Sequence, residues 1–363
     1  MRELFDSPIQ KNFGFGFMRL PMSGDEVDIP QTTQMVDAFL DNGFNYFDTA
    51  HGYLNGKSEL AIRECLSSRY PRDRFVLTNK LSGNYFKTQA DIRPLFQRQL
   101  DACGVEYFDF YLMHAMNAQR FDEYKKLHAF ETVMELKSEG RVRHMGMSFH
   151  DKASVLDQIL TEYPQLEVVQ IQFNYADFED EKVESRKCYE VCRKHGKPVI
   201  VMEPVKGGSL VNLPQAAQRV FDKLGGGSNA SYAIRFAAGF DGMMMVLSGM
   251  STLEQMLDNL SFMKDFQPLN HEEQEAVALV RAIFRNQALV PCTACRYCTE
   301  VCPQEIPIAD IFAALNAHRQ GKTPEATAEK AASCVRCGQC EAICPQNLRI
   351  RELLMVAREE LNG

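Results

Sequence analysis

The sequence predicts a (β/α)8 barrel followed by a small, mainly helical, cysteine-rich domain. Three observations support this fold class. Eight short apolar runs alternate with amphipathic stretches, a pattern that is typical of parallel strands connected by helices. Several of these runs end in a polar residue, and two cysteine runs with the same spacing lie late in the chain.

Length and composition limit the class of protein. With 363 residues and 45% hydrophobic content, the chain can bury one large core and a smaller one. Its 40 Lys and Arg against 48 Asp and Glu give a net charge of −8, which offers no basic footprint for nucleic acid. No apolar run approaches the ~20 residues of a membrane span, and the first residues lack the features of a signal peptide. We therefore expect a soluble, cytoplasmic protein without a nucleic-acid or membrane partner.

The predicted elements follow from the apolar pattern. The eight predicted strands are FGFGFM, NYFDTA, FVLTNK, FYLMH, RHMGMS, VVQIQF, PVIVME and MMMVLSG. The predicted helices between them include TTQMVDAFLDNG, DIRPLFQRQLDACG and DEYKKLHAFETVMELKSEG, each of which ends in a glycine. Glycine favours the left-handed conformation that closes a helix. We place the barrel at 1–264, a helical linker at 265–290 and the cysteine-rich domain at 291–363.

Eight of the twelve cysteines lie in two runs, each with C-x2-C-x2-C-x3-C-P spacing. A zinc site usually takes its four ligands as two separated pairs, so two zinc sites would leave the doubled pattern as a coincidence. The spacing is that of bacterial ferredoxins, in which the fourth cysteine of each run binds the other cluster. We therefore predict a ferredoxin-like domain with two 4Fe-4S clusters. Their ligands are Cys292, Cys295, Cys298 and Cys344 for one, and Cys334, Cys337, Cys340 and Cys302 for the other.

The remaining cysteines do not form a spaced ligand set. They are Cys65, Cys103, Cys188 and Cys192, and we expect them to be buried core thiols.

The polar residues that end the apolar runs point to an active site. In a (β/α)8 barrel the chemistry is built at the carboxyl ends of the strands. Tyr53 follows the second predicted strand closely enough to reach the same place, whereas His51 and His150, on nearby loops, are expected to be solvated. The strand-end residues are Asp48, Lys80, His114, Ser148, Gln170, Gln172, Glu203 and Ser248.

The motifs GFGFMRLP, YFDTAHGYLNGKSE, LTNK, YLMH, GMSFH and VQIQFNY resemble the aldo-keto reductase family over residues 12 to 262. The cysteine runs resemble those of its bacterial branch with a ferredoxin-type extension. The resemblance implies a catalytic tetrad of Asp48, Tyr53, Lys80 and His114. Tyrosine has an unperturbed pKa of about 10, and a nearby ammonium lowers that pKa so that the phenol can donate a proton.

The same resemblance implies an NAD(P)H-linked interconversion of an aldehyde or ketone and an alcohol. It places the nicotinamide carboxamide against Ser148 and Gln170, and the nicotinamide ring against Met202. The family usually binds the 2′-phosphate with basic residues after the last strand, but 247–260 contains none. NADH and NADPH therefore both remain open. Further cofactor contacts implied by the alignment are Lys206, Ser248, Gln255 and Asn259.

The two halves of the chain carry mismatched electron chemistry. A nicotinamide gives up two electrons together, whereas each 4Fe-4S cluster passes one. We expect the clusters to relay electrons, with an electron-transfer protein as a partner; structural and redox-sensing roles remain alternatives. A flavin would connect the two chemistries, but the sequence contains no flavin motif.

Two other functions stay open. One is a ferredoxin-coupled oxidoreductase for which nicotinamide is not the physiological donor. The other is a nicotinamide-binding redox-sensor subunit that catalyses nothing. The carbonyl substrate is a small molecule that the sequence does not identify.

Overall fold

The computed structural model describes residues 9–286, 288–324, 326 and 328–362. The chain divides into two compact units. The first runs through Glu179 and adds Glu184–Pro204 and Ala230–Leu269, and the second comprises Asp180–Val183, Val205–Asn229 and the chain from Asn270 onwards. The segment Val205–Asn229 therefore groups with the C-terminal part of the chain, although our boundaries place it within the barrel.

The first unit is a closed barrel of eight parallel strands, as the sequence predicts. Going round the barrel, the order is β1-β10-β9-β8-β7-β6-β5-β4. β2 and β3 form a separate antiparallel pair. The strands are β1 (Phe13–Gly16), β2 (Met22–Ser23), β3 (Glu26–Val27), β4 (Tyr46–Asp48), β5 (Val76–Leu81), β6 (Phe108–Met116), β7 (Val142–Phe149), β8 (Val168–Gln172), β9 (Val199–Met202) and β10 (Met243–Ser248).

Helices connect the strands, and they are the main regular secondary structure of the second unit. Within the described ranges, no helix is both long and apolar enough to cross a membrane. The helices are α1 (Ile29–Asp41), α2 (Lys57–Ile62), α3 (Gln89–Cys103), α4 (Ala118–Lys126), α5 (Ala129–Ser138), α6 (Ala153–Glu162), α7 (Ser185–Lys194), α8 (Gln215–Phe221), α9 (Asn229–Ala238), α10 (Leu253–Met263), α11 (His271–Arg285), α12 (Tyr297–Glu300), α13 (Ile308–Arg319), α14 (Gln339–Ala342) and α15 (Ile350–Asn362).

One of the predicted helices is divided into two helices in the structure. We expected DEYKKLHAFETVMELKSEG to form a single helix, but α4 ends at Lys126 and α5 begins at Ala129. His128 lies between them with a φ of 49°, in the left-handed region that interrupts a right-handed helix. The apolar periodicity continues across this break, so the pattern alone did not reveal it.

Apolar side chains fill the barrel. The interior cluster includes Tyr46, Val76, Phe110, Leu112, Val168, Ile200, Met244, Met245 and Leu247. The phenol of Tyr46 is satisfied by Thr78 Oγ1, which donates to it at 2.6 Å. The three methionines of the last strand, Met243, Met244 and Met245, are buried. This packed interior supports the polar groups at the strand ends.

The second unit has a core of its own. Its buried residues include Ile306, Ile308, Ile311, Phe312, Leu315, Ile350 and Leu354, and several cysteines of both runs pack against them. Within this unit the backbone at Gly207 lies close to the first cysteine run. A Cβ atom on Gly207 would lie 2.4 Å from the carbonyl oxygen of Thr293. The loop after β9 and the first cysteine run are therefore in tight backbone contact.

We predict that Gly207→Ala destabilises the second unit more than Gly208→Ala does. Both glycines have positive φ, 63° and 96°, so both variants bear the left-handed cost of about 1–2 kcal/mol. A Cβ on Gly208 meets nothing within 4 Å, whereas that on Gly207 collides with Thr293 and adds about 1–3 kcal/mol of overpacking. Anaerobic thermal unfolding followed by circular dichroism measures the difference, and equal midpoints for the two variants would contradict the contact.

Candidate functional site

A buried ion pair lies at the carboxyl end of the barrel. Lys80 Nζ is 2.6 Å from Asp48 Oδ1 and also donates to the Thr49 carbonyl at 2.8 Å. The Lys80 side chain is fully buried, and Asp48 is 3% exposed. Burial lowers the pKa of Lys80 and raises that of Asp48, and each partner's charge opposes these shifts. The pair thus keeps an ammonium in place at a position where the Lys80 side chain has no exposed surface.

A polar network beneath Lys80 fixes its strand. Asn79 Oδ1 accepts from the Lys80 amide at 2.8 Å, and Gln99 Nε2 donates to the Lys80 carbonyl at 3.0 Å. Both amides also donate to Glu59 Oε1, at 2.8 and 3.2 Å. Glu59 is 1% exposed, so this carboxylate is buried among its donors. Glu59, Asn79 and Gln99 were not among the predicted site residues. Their signal in the sequence is a Glu and a Gln on faces of α2 and α3 that should be apolar.

Tyr53 and His114 complete the cluster. The Lys80 ammonium lies 4.9 Å from the centre of the Tyr53 ring. The rings of Tyr53 and His114 meet edge to face, with centroids 5.9 Å apart. The structure therefore brings all four predicted catalytic residues together.

A bulge in β6 positions His114. Ala115 has a φ of 53°, and the pairing of β6 with β7 is irregular between Met113 and Met116. The Ala115 amide donates to Ser148 Oγ at 2.8 Å, which holds the bulge to β7. His114 Nδ1 is 2.6 Å from Ser82 Oγ. Burial, followed by the charge of Lys80, lowers the pKa of His114 well below its usual value, so the imidazole is neutral at neutral pH.

The predicted nicotinamide contacts lie on adjacent strands. Ser148 of β7 pairs in register with Gln170 of β8, and both are buried. Gln170 Nε2 donates to Asp48 Oδ2 at 3.4 Å, which connects this pair to the predicted catalytic residues. Met202 ends β9 and is half-buried. A hydroxyl and an amide side by side suit the donor and acceptor groups of a carboxamide.

The other predicted cofactor residues do not form one group with Ser148 and Gln170. Asn259 Nδ2 donates to Ser248 Oγ at 2.9 Å, so these two buried side chains bind each other. Gln255 is exposed, and its Oε1 accepts from the Ser251 amide at 2.8 Å. Lys206 is buried and belongs to the second unit. Their roles toward a cofactor stay predictions.

Arg19 lies near the predicted cofactor residues, although no sequence pattern indicates it. A Cβ on Gly249 would lie 3.2 Å from Arg19 Cβ, and Ser251 Oγ donates to the Arg19 carbonyl at 2.8 Å. The loop after β10 contains no basic residue, yet the fold brings one beside it from the loop after β1. Only the pairing of β1 with β10, which a barrel of known strand order implies, could have revealed this proximity.

The two loop histidines are not simply solvated, contrary to our expectation. His51 Nδ1 is 2.7 Å from the buried Glu59 Oε2 and contacts the Tyr85 ring edge to face. His150 is half-buried, and its Nδ1 has no hydrogen-bond partner among the described residues. Burial lowers the pKa of His150 to about 4.

Cysteines of both runs surround one cavity of the second unit. Its lining includes Cys302 of the first run and Cys334, Cys337 and Cys340 of the second, together with Arg351. These four thiols are the set predicted from the spacing for one cluster. Four thiolates and a guanidinium provide suitable ligands and a countercharge for an anionic 4Fe-4S cluster.

Thiols of the other predicted set also lie near each other. Burial, followed by the charges of the neighbouring Cys292 and Cys344, raises the pKa of Cys298 to about 12. In the described part of the chain, no three His, Cys, Asp or Glu side chains form a site for a single metal ion. A 4Fe-4S cluster does not need such a site, because each thiolate binds a different iron. Cys65, Cys103, Cys188 and Cys192 are buried in the first unit, as expected.

Comparison with known families matches both halves of the chain. The sequence model of the Aldo/keto reductase family matches residues 12–281. That of a 4Fe-4S dicluster domain matches residues 291–348.

Individual relatives are distant. The chain is 26% identical to the NADH-specific methylglyoxal reductase of Escherichia coli over 46% of this chain and 54% of that protein. It is 26% identical to an aldo-keto reductase of Mycobacterium avium over 68% of this chain and 80% of that protein. The chain thus spans about half the length of the first curated relatives that it matches.

Solved structures share the fold. An aldo-keto reductase from Klebsiella pneumoniae in complex with NADPH has a TM-score of 0.61 at 18% identity, covering 74% of this chain and 90% of that chain. The holo form of an aldo-keto reductase from Bacillus halodurans has a TM-score of 0.61 at 22% identity, covering 76% of this chain and 94% of that chain.

We predict that Cys302→Ala damages the cluster of the second cysteine run, because Cys302 lines the cavity with Cys334, Cys337 and Cys340. Cys298→Ala should instead damage the cluster of its own run. Anaerobic iron analysis and electron paramagnetic resonance of the reduced protein distinguish the two losses. Cys65→Ala, a buried thiol outside both runs, is the control and should retain both signals; loss of the first-run signal in Cys302→Ala would refute cross-ligation.

Proposed function

The chain belongs to the aldo/keto reductase family, and we propose that it is an NAD(P)H-linked oxidoreductase that interconverts a small aldehyde or ketone and its alcohol. The convergence of Tyr53, His114 and the buried Lys80–Asp48 pair carries this proposal. A proton donor, a cation that makes it acidic and a neutral hydrogen-bond donor are what carbonyl reduction requires of a protein.

Tyr53 is the proposed proton donor. The Lys80 ammonium stabilises a tyrosinate and so makes the phenol a better acid. Asp48 holds the ammonium at 2.6 Å and keeps it charged against the cost of burial. Tyr53 can then donate its proton to the carbonyl oxygen of the substrate as carbon is reduced, and accept a proton in the reverse reaction.

His114 is proposed to orient the carbonyl oxygen. Because its imidazole is neutral, one ring nitrogen donates and the other accepts. A hydrogen bond between Ser82 Oγ and Nδ1 leaves Nε2 to face the substrate. If Ser82 donates to Nδ1, Nε2 carries the proton and can donate to the carbonyl oxygen beside Tyr53.

Ser148 and Gln170 are the proposed holders of the nicotinamide carboxamide. A bound reduced nicotinamide supplies the hydride. The names of relatives and neighbours mention both NADH and NADPH, and Arg19 beside the loop after β10 offers a cation for a cofactor phosphate. The proposal therefore includes both NADH and NADPH as the cofactor.

The dicluster domain is proposed to relay electrons to or from a partner protein. Two clusters whose ligands come from both cysteine runs provide a path, whereas one metal would suffice as a brace. The cavity lined by Cys302, Cys334, Cys337 and Cys340 supports cross-ligation. An oxidoreductase that takes its electrons from ferredoxin in place of nicotinamide is the second candidate, and the dicluster domain is the observation that favours it.

We predict that Tyr53→Phe lowers the turnover of aldehyde reduction by at least the ~10²-fold typical of losing a general acid. The affinity for NAD(P)H should change little, since the ring remains. Steady-state kinetics and quenching of cofactor fluorescence measure the two quantities. Tyr107→Phe, just before β6 at its amino end, is the control for loss of a phenol; turnover of Tyr53→Phe equal to that of the control would remove Tyr53 from this role.

We predict that the clusters exchange electrons with the nicotinamide site. After anaerobic reduction with a low-potential viologen, the bleached cluster absorbance should return when NAD(P)+ or an aldehyde is added. The Cys302→Ala and Cys298→Ala variants should lose part of this return in proportion to the cluster each lacks. Clusters that reduce but are not reoxidised by either compound, with or without added flavin, would favour a structural role.

A further inference from the structure

Arg120 is a cation without an acidic partner beside the catalytic histidine. Its Nη1 donates to the His114 carbonyl at 3.2 Å, and its Nη2 to Asn84 Oδ1 at 3.3 Å. Both acceptors are neutral, and in the described part of the chain no carboxylate pairs with this half-buried guanidinium. Guanidinium groups in enclosed sites usually pair with a carboxylate or phosphate. Arg120 therefore retains the capacity to bind an anion.

His150 contributes a second unused polar group. It follows β7, and its amide donates to the Met116 carbonyl at 2.8 Å. Its Nδ1 is buried without a partner among the described residues, and such an atom is costly unless something binds it. The adjacent Asp151 does not serve it, since its carboxylate accepts from the amides of Ala118 and Lys152.

Arg120 and His150 both contact the end of β6 that carries His114. Arg120 Nη1 donates to the His114 carbonyl at 3.2 Å, and the His150 amide donates to the carbonyl of Met116, two residues further along the chain. Burial, followed by the charge of Arg120, lowers the pKa of His150. Lys80 is neutralised by Asp48 at 2.6 Å, so Arg120 is the source of net positive charge in this group. A substrate whose carbonyl oxygen meets Tyr53 and His114 would extend its other atoms past these two side chains.

We propose that Arg120 and His150 bind a carboxylate carried by the carbonyl substrate, so that the enzyme prefers oxo acids to neutral carbonyl compounds. This inference rests on the proposed function and specifies its substrate class. In the reaction, hydride adds to the carbonyl carbon and the Tyr53 proton to the carbonyl oxygen, while the substrate carboxylate is unchanged. The product is the corresponding hydroxy acid.

The test compares ω-oxo carboxylates of two to five carbons with their methyl esters, which keep the carbonyl and remove the charge. For the best acid, kcat/KM should exceed that of its ester by at least about 10-fold, in keeping with a charge-assisted hydrogen bond. Arg120→Gln should lower kcat/KM for the acid by about 10- to 100-fold and change that for the ester by less than about 3-fold. Lys126→Gln removes one positive charge from the same helix at an exposed position and should preserve the preference.

His150→Phe provides a second variant, and its loss of preference for the acid should be smaller because the group it removes is neutral. Equal kinetics for acid and ester in the wild type, or equal losses for both in Arg120→Gln, would overturn the proposal. If the ester is reduced and the acid is not preferred, the carbonyl reductase activity stands and the carboxylate site fails.

If neither compound is reduced with NADH or NADPH, the proposed function fails. The carboxylate site is then tested separately, by measuring whether the protein binds a carboxylate. Isothermal titration calorimetry of the full chain with butanoate and with butanamide is then the measurement. Binding of butanoate alone, lost in Arg120→Gln and kept in Lys126→Gln, would support the site. Equal binding of the two probes, or binding unchanged in Arg120→Gln, would overturn it.

Discussion

The buried ion pair between Lys80 and Asp48 is the constraint on which the rest of the site depends. An isolated charge at this depth would cost several kcal/mol, and removing one partner of such a pair usually costs about 3–5 kcal/mol. Each charge is therefore retained because the other is held at 2.6 Å. The surrounding groups also stabilise the two charges: the Thr49 carbonyl accepts a hydrogen bond from Lys80, and Gln170 donates one to Asp48. A stable ammonium is what gives a nearby phenol useful acidity.

A network of buried polar side chains holds the strand that carries Lys80 in place. The Glu59 carboxylate receives hydrogen bonds from Asn79 and Gln99, and these two amides bind the backbone of β5 on either side of Lys80. Buried networks of this kind stabilise one geometry only when every member is satisfied. On the other side of the site, the bulge at Ala115 turns His114 toward Tyr53. The proposed catalytic arrangement thus depends on residues outside the four-residue cluster.

Much of this arrangement could be predicted from the sequence, because strand alternation and strand-end polarity are local signals. All eight barrel strands and the convergence of Asp48, Tyr53, Lys80 and His114 follow from them together with the family resemblance. The remaining features depend on contacts between distant segments. Arg19 lying beside the loop after β10 and the grouping of 205–229 with the C-terminal part leave no local pattern. Glu59 leaves only a weak one, a charged residue on a helix face that should be apolar, and its hydrogen bond to Asn79 is not predictable from that pattern. The break at His128 is set by one left-handed residue within a continuous apolar period.

Because Val205–Asn229 belongs to the second unit, it is synthesised before most of the residues with which it packs. A ribosome adds about 5–20 residues per second, so this segment emerges on the order of ten seconds before the last of the chain with which it packs. During that interval, Gly207 has no Thr293 to meet, and the apolar residues of α8 remain uncovered by α11. Synthesis of this protein therefore includes a stage in which the barrel strands are complete while an internal loop still awaits its partner.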